Sequence, residues 1–271
     1  MLMKLSPQKI KEFQTIIWNF YKHQGRHDMP WRHTTDPYCI VVSEIMLQQT
    51  QVERVGKYYA EFLRQFPSWQ ILAKAPVKKV LSVWQGLGYN RRALFLQRAA
   101  QEVVKNHNGK LPKTIDEMVK LPGIGTNTAG AVLAYSYNLP VVYIETNIRR
   151  IFIHHFFKQK TAVNDRDIMP LVEQTLPKNK SREWYWALMD YGSTIPKTVA
   201  NPNRNSKHYT KQSAFEGSRR QLRARIVKLL LEKPLTLQQL SKEIQKPELE
   251  NILQDLTTEG FIKKQKNIFT I

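Results

Sequence analysis

The chain has 271 residues, 42% of them hydrophobic, with 42 Lys and Arg against 22 Asp and Glu and a formal charge of +20. That length suits one large domain or two, and the charge asks for a polyanionic partner, with nucleic acid ahead of an anionic membrane surface. No apolar run reaches membrane-span length and the start MLMKLSPQKIKEF lacks a signal-peptide core, so a cytosolic, nucleoid-associated monomer is expected, and the lone Cys39 excludes an internal disulfide and a cysteine-held zinc or iron–sulfur cluster.

Helical periodicity dominates. Ser6-Pro7 opens a helix with Ile10, Phe13, Ile16, Ile17 and Phe20 at its apolar positions. Asp36-Pro37, a cap followed by proline at the first helical position, opens a second over 37–48. Thr50 caps a third that stops before Pro67, short helices follow at 68–75 and 77–84, GLGYN is a break, and 91–107 is helical again. Thr114 caps a short helix, LPGIG at 121–125 turns the chain, and NTAGAVLAYSY resumes the helix. Further helices are expected at 146–157, 165–175 and 181–192, and the polar, basic stretch 193–218 reads as a long loop or linker. From Arg219, the three helical stretches RRQLRARIVKLLLE, TLQQLSKEI and PELENILQDLTTEGFI and the strand-like end KKQKNIFTI give the outline of a winged helix.

Three stretches carry chemistry. In LPGIG the proline fixes one dihedral, while the glycines permit positive φ and leave no Cβ in the way. Outward-pointing amides there and at the start of the next helix form a phosphate site; the alternative is a tight helix–helix turn without a ligand. In DPYCIVVSEIMLQQTQV the helix is apolar on nearly all sides, so it should be buried. Burial raises the pKa of Glu44 at its centre, which suits a general acid, unless Glu44 is a structural partner of an Arg or Lys. The amides of Gln48, Gln49 and Gln51 at its exit can pair with base edges or simply finish a polar helix end. In VVYIETNIRRIF, Glu145 follows a β-like run at the mouth of a helix, where a carboxylate is stabilised as the anion. A plain cap is the simpler reading, although Glu caps less well than Asp or Ser.

Taken together, PWRHTTDPYCIVVSEIMLQQTQV, VWQGLGYNRRA and LPGIGTNTAGAVLAY resemble the helix-hairpin-helix (HhH-GPD) DNA glycosylases of the endonuclease III and MutY group, the MutY-like adenine glycosylases above all, over roughly residues 8–192. The resemblance implies an all-α fold of two helical lobes with a DNA cleft between them. The lobes are a six-helix barrel at 25–142, carrying the hairpin, and a second lobe from 1–24 and 143–195. A basic linker at 196–218 and the winged helix at 219–271 follow, where MutY-like relatives have a domain recognising 8-oxoguanine. Position by position, the resemblance makes Glu44 the acid that protonates the departing base and Glu145 the counterpart of a catalytic aspartate. Asn127 stands where endonuclease III has its Schiff-base lysine, so lyase activity is not expected. DNA contacts are expected from Gln48, Gln49 and Gln51, from Leu121, Gly123, Gly125 and Thr126 at the hairpin, from Arg91, Asn147 and Arg149, and from Arg219 and Arg220. A monovalent cation at the carbonyls of Leu121 and Gly123 is implied as well.

The chain departs from the family pattern at three places. Glu145 replaces Asp, Asn90 replaces a tyrosine, and the four cluster cysteines are absent, with Lys197, Arg204, Lys207 and Lys211 in that region. The expected function is cofactor-free, monofunctional removal of a mispaired base from double-stranded DNA, with adenine opposite guanine or 8-oxoguanine leading. Thymine or uracil opposite guanine is the runner-up, and a non-catalytic binder of damaged or structured DNA is the competing class.

Overall fold

Caps fix the helix starts. Ser6, Ser68, Thr114, Asn164, Ser218 and Thr236 each accept a backbone N–H of the following turn. The computed structural model describes residues 3–212 and 214–271, and among these it holds fourteen α-helices and three short strands. The helices are α1 (Pro7–Gln24), α2 (Pro37–Leu47), α3 (Val52–Gln65), α4 (Trp69–Lys74), α5 (Val77–Trp84), α6 (Arg91–Asn106), α7 (Ile115–Met118), α8 (Thr126–Tyr137), α9 (Thr146–Phe156), α10 (Asp165–Thr175), α11 (Ser181–Thr198), α12 (Arg219–Glu232), α13 (Leu237–Glu243) and α14 (Leu249–Thr258). The strands are β1 (Leu235–Thr236), β2 (Lys263–Gln265) and β3 (Ile268–Thr270). No described helix is long and apolar enough to cross a membrane.

The chain forms two compact units. One takes the described residues of 1–44 with Pro112–Lys120 and Ile124–Lys211; the other takes Ile45–Leu111, Leu121–Gly123 and the described residues of 212–271. This division cuts α2 between Glu44 and Ile45 and puts residues 219–271 in the same unit as α3 to α6.

In the first unit α1 packs on α11 and α10, and α9 packs on α11. Their apolar faces meet around fully buried Ile17, Phe152 and Trp184, and the Trp18 and Trp184 rings lie 5.3 Å apart. Helix α11 runs six residues past the expected end at 192, through Pro196. Proline has no N–H for the carbonyl four residues back. That carbonyl, of Gly192, accepts instead from Arg150 Nη1 at 2.7 Å, so the helix continues. The segment after α11 is held by polar bonds: Val163 N donates to Asn205 O at 2.8 Å, Lys207 N to Val163 O at 2.9 Å, and Asn203 Nδ2 to Thr146 O at 2.9 Å. The β-like run before Glu145 forms no described strand; Val141 N donates to Leu139 O at 2.8 Å, and Val141 O accepts from the Tyr185 hydroxyl at 2.7 Å.

In the second unit α6 is central, with α4 and α5 against it. Thr50 does not cap α3; Gln51 occupies that position without a side-chain bond, because the Thr50 hydroxyl accepts from Arg92 at 2.9 Å. Residues 219–271 fold as α12, β1, α13, α14, β2 and β3 with an antiparallel sheet in the order β1-β3-β2. The β2–β3 turn passes through Lys266 at φ 51. Phe269 of β3 is buried, and so are Ile226, Val227, Leu230 and Leu231 of α12.

Candidate active site

Helix α2 begins where the Asp36 carboxylate accepts from Tyr38 N at 2.7 Å and Cys39 N at 3.3 Å. Ile40, Val41, Val42, Ile45 and Met46 are each at most 1% exposed, so the helix is buried on most sides. Glu44 sits among them, half-buried. Burial pushes its carboxyl up to about 8, the negative charge of Glu145 adds to the rise, and Arg32 opposes it. At neutral pH Glu44 therefore holds its proton.

Glu145 is the N-cap of α9, with φ −119 and ψ −177. Its Oε1 accepts from Ile148 N at 2.9 Å and from Asn147 N, and Asn147 Nδ2 approaches Oε2 at 3.4 Å. A helix start alone predicts a depressed pKa; the structure reverses that expectation. Burial raises the Glu145 carboxyl above its ordinary value, and the two amides, Arg150 and Arg149 only counteract the rise. The two carboxyls still differ, because Glu145 accepts two backbone amides and Glu44 lies on an apolar helix.

Around the pair stand two buried tyrosines. The Tyr143 hydroxyl donates to the Tyr135 hydroxyl at 3.3 Å, and burial pushes both phenols well above their ordinary range. The Tyr143 ring fits because residue 130 is glycine, where a Cβ would meet the ring at 2.6 Å. Arg32 is clamped by Asp190, Nη1 to Oδ2 at 2.7 Å and Nη2 to Oδ1 at 2.9 Å, and Asp190 also accepts from Arg26 N at 2.8 Å and Arg26 Nε at 2.6 Å. Burial raises the Asp190 carboxyl, but the Arg32 hydrogen bonds and charge outweigh it and hold the group below the ordinary carboxylate range.

At the hairpin, Leu121 is buried and Gly123 has φ +78, with Phe95 Cβ 2.7 Å from where its own Cβ would stand. Positive φ and close packing thus explain Gly123 without a ligand. Gly125 is different. It has φ −91 and ψ 174, open to any residue, and a Cβ there would meet nothing within 4 Å. Gly125, Thr126 and Asn127 are exposed at the start of α8.

The other expected contact residues divide. Gln48 is half-buried, with Nε2 3.4 Å from Gly123 O; Gln49 is exposed at φ 55; Gln51 is exposed. Asn147 lies under the Glu145 carboxylate and accepts from Arg150 Nη1 at 2.8 Å. Four of the expected arginines already have protein partners. Arg149 makes a two-pronged pair with Asp165, both at 2.7 Å, Arg91 pairs with Glu259, Arg219 with Asp255, and Arg220 lies over the Tyr89 and Phe215 rings.

Sequence reading missed Arg92, adjacent to the GLGYN break. Its guanidinium, 7% exposed, donates to the carbonyls of Ile45, Met46, Gln48, Leu87 and Gly88 and to the Thr50 hydroxyl, at 2.6 to 3.2 Å. It thereby fixes the exit of α2, with Gln48 and Gln49, against the glycine turn. The available signal was only an arginine two residues past a glycine-rich break, a place where a planar fork of donors can reach several carbonyls. A four-cysteine iron–sulfur cluster does not fit this sequence, since its one cysteine lies on α2.

A model described as HhH-GPD superfamily base excision DNA repair protein matches residues 42–177. The adenine DNA glycosylase of Buchnera aphidicola subsp. Baizongia pistaciae is 36% identical over 214 residues, covering 75% of this chain and 60% of that protein. The thymine/uracil-DNA glycosylase of Pyrobaculum aerophilum is 29% identical over 190 residues, covering 68% and 83%. A solved structure of a thermostable thymine-DNA glycosylase is similar at a TM-score of 0.65 and 27% identity, covering 72% of this chain and 91% of that one. This chain spans 53–60% of the length of three Buchnera adenine glycosylases that it matches.

Proposed function

This chain belongs to the HhH-GPD superfamily of base excision DNA repair proteins, and we propose that it is a monofunctional DNA N-glycosylase acting on a base flipped from mispaired or damaged duplex DNA. The observation that carries this reading is Glu44, a carboxyl kept protonated near neutral pH by burial in an apolar helix and by the charge of Glu145. As the bond between C1′ and the base nitrogen breaks, Glu44 gives its proton to the leaving base and the bonding pair departs with the base. Glu145, held by two amides of α9, lies by the sugar cation. Water adds to C1′ and its proton returns to a carboxylate of the pair.

Gly125, Thr126 and Asn127 take a phosphate of the bound strand, and the open space at Gly125, where a Cβ would meet no atom of the described residues within 4 Å, supports this. The carbonyls of Leu121 and Gly123 are the ligands of the implied monovalent cation. Asn127 has no amine for a Schiff base, so no lyase step follows. Residues 219–271 form a winged helix. Adenine opposite guanine or 8-oxoguanine is the leading substrate, supported by the likeness to adenine DNA glycosylases. Thymine or uracil opposite guanine is the second reading, favoured by the likeness to the thymine-DNA glycosylase structure.

A panel of duplexes, each with one mispair or lesion, tests the proposal. Release of one base, with strand cleavage only after alkali, is the expected result. Binding without release from any duplex overturns the catalytic reading.

A further inference from the structure

Residues 212–271 lie outside the stretch matched by the family model, and one of their side chains closes a cluster of arginines in the unit that holds α6 and α12. Glu259 occupies the C-cap of α14. A carboxylate there sits at the negative end of the helix dipole, so local rules disfavour it. Four arginines reach this end of α14. Arg91 of α6 makes a two-pronged pair with the Glu259 carboxylate, Nε to Oε2 at 3.1 Å and Nη2 to Oε1. Arg223 of α12 donates to Oε2 of the same carboxylate. Arg98 of α6 donates to the Glu259 carbonyl, and Arg219 pairs with Asp255 one turn earlier on α14. Burial raises the Glu259 carboxyl, but the hydrogen bonds from Arg91 and Arg223 outweigh it and hold the group below the ordinary carboxylate range.

Two features separate this cluster from a buried structural ion pair. Its guanidinium groups, on Arg91, Arg98, Arg219 and Arg223, outnumber the carboxylates of Asp255 and Glu259, so positive charge is left over. It also lies at the surface: the Arg91 side chain is 55% and that of Glu259 22% exposed, so the carboxylate can turn into water without unpacking the fold. Two guanidinium groups converging on one pair of anionic oxygens have the geometry that binds a phosphate. A chain of charge +20 in a DNA repair family meets that group on the DNA backbone. We propose that Arg91 and Arg223 form a binding site for one backbone phosphate of DNA, and that the Glu259 carboxylate fills this site in the free chain. DNA displaces Glu259 to enter. Every encounter at this site therefore begins by breaking an ion pair, which lowers affinity for all sequences alike. The site needs the chain to bind DNA but not to release a base.

The test uses the full chain and a fully paired fluorescent duplex, titrated by anisotropy at one low salt concentration. Glu259→Gln should tighten binding about fivefold, the effect of removing one competing ion pair. Glu259→Asp, a milder change that withdraws the carboxylate from Arg91, should shift affinity in the same direction. Glu250→Gln makes the same change in net charge at an exposed side chain of α14 and should gain less than about twofold. Arg98→Gln releases the Glu259 carbonyl but leaves the carboxylate in place, and should not tighten binding. In an Arg91→Ala background the gain from Glu259→Gln should fall below about twofold. An equal gain from Glu250→Gln overturns the proposal, since net charge then explains it. A gain from Arg98→Gln also overturns it, because loosening of α14 then suffices. So does an undiminished gain without Arg91, or no gain from either Glu259 variant in chains that melt as folded proteins. A chain that binds no duplex at all removes both this site and the glycosylase reading, whereas binding without base release from mispaired duplexes removes only the latter.

Discussion

Replacing Glu44 by Gln removes the proton donor and also a pH-dependent burden on the fold. In the folded chain the carboxyl titrates at about 8 against an ordinary 4.5. Between those values the folded state keeps a proton that the unfolded chain has released, so stability falls as pH rises, by about 1.4 kcal/mol per pH unit. Below 4.5 both states are protonated and there is no penalty; above 8 the penalty is complete. At neutral pH it amounts to about 3 kcal/mol, an upper bound for the gain from glutamine, whose amide must also be desolvated. Glu44→Gln should therefore melt close to wild type at about pH 5 and roughly 5 °C higher or more at about pH 8. Thermal unfolding across that range, followed by circular dichroism, reads the difference, and base release by the variant should be lost at every pH. A melting difference that stays constant between the two pH values refutes the reasoning, because a structural carboxylate paired with a cation predicts no widening.

Glu145→Asp keeps a good cap for Asn147 N and Ile148 N but withdraws the carboxylate, so melting should hold while single-turnover base release drops by about 10²-fold; a rate increase would show that the backbone already suits the shorter side chain. Gly125→Ala meets no protein atom, so it should change stability by less than about 1 kcal/mol and weaken duplex DNA binding about tenfold in a titration at fixed salt. Unchanged affinity would remove the hairpin from the DNA contact. Arg92→Lys offers a point charge to six oxygens that now receive a planar fork, and chemical denaturation should show a loss of about 3 kcal/mol or more.

Local signals were legible. The Asp36-Pro37 start, the unbroken apolar surface of α2 around Glu44 and the proline–glycine turn at 121–125 each sit within one or two helical turns, and the helices follow them. Glu145 was readable as a cap because a cap is local, but its raised proton affinity was not, since burial is created by residues far along the chain. The same limit hid Arg92, whose acceptors begin at Ile45, and Asp190, whose partners are Arg26 and Arg32. It also hid the pairing of the basic residues of α12, of which Arg219 and Arg220 are expected to contact DNA. In the structure Arg219 and Arg223 answer Asp255 and Glu259, and a count of charges contains no information about such pairing. The polar texture of 193–218 hid the last turns of α11, which continue past Pro196 because Arg150 serves the Gly192 carbonyl.

Asp190 sets a condition on the acid that it never touches. The positive charge of Arg32 favours the ionised form of Glu44. An unbalanced guanidinium there would strip the acid before a base arrived to receive its proton. Asp190, 1% exposed, takes both terminal nitrogens of Arg32 and sets a negative charge against it. The cation that opposes protonation of the donor on α2 is thus paired from α11, near the far end of the unit's sequence. An acid that must arrive loaded has the cation that opposes it held by a carboxylate of its own, and this pairing is present in the chain without DNA.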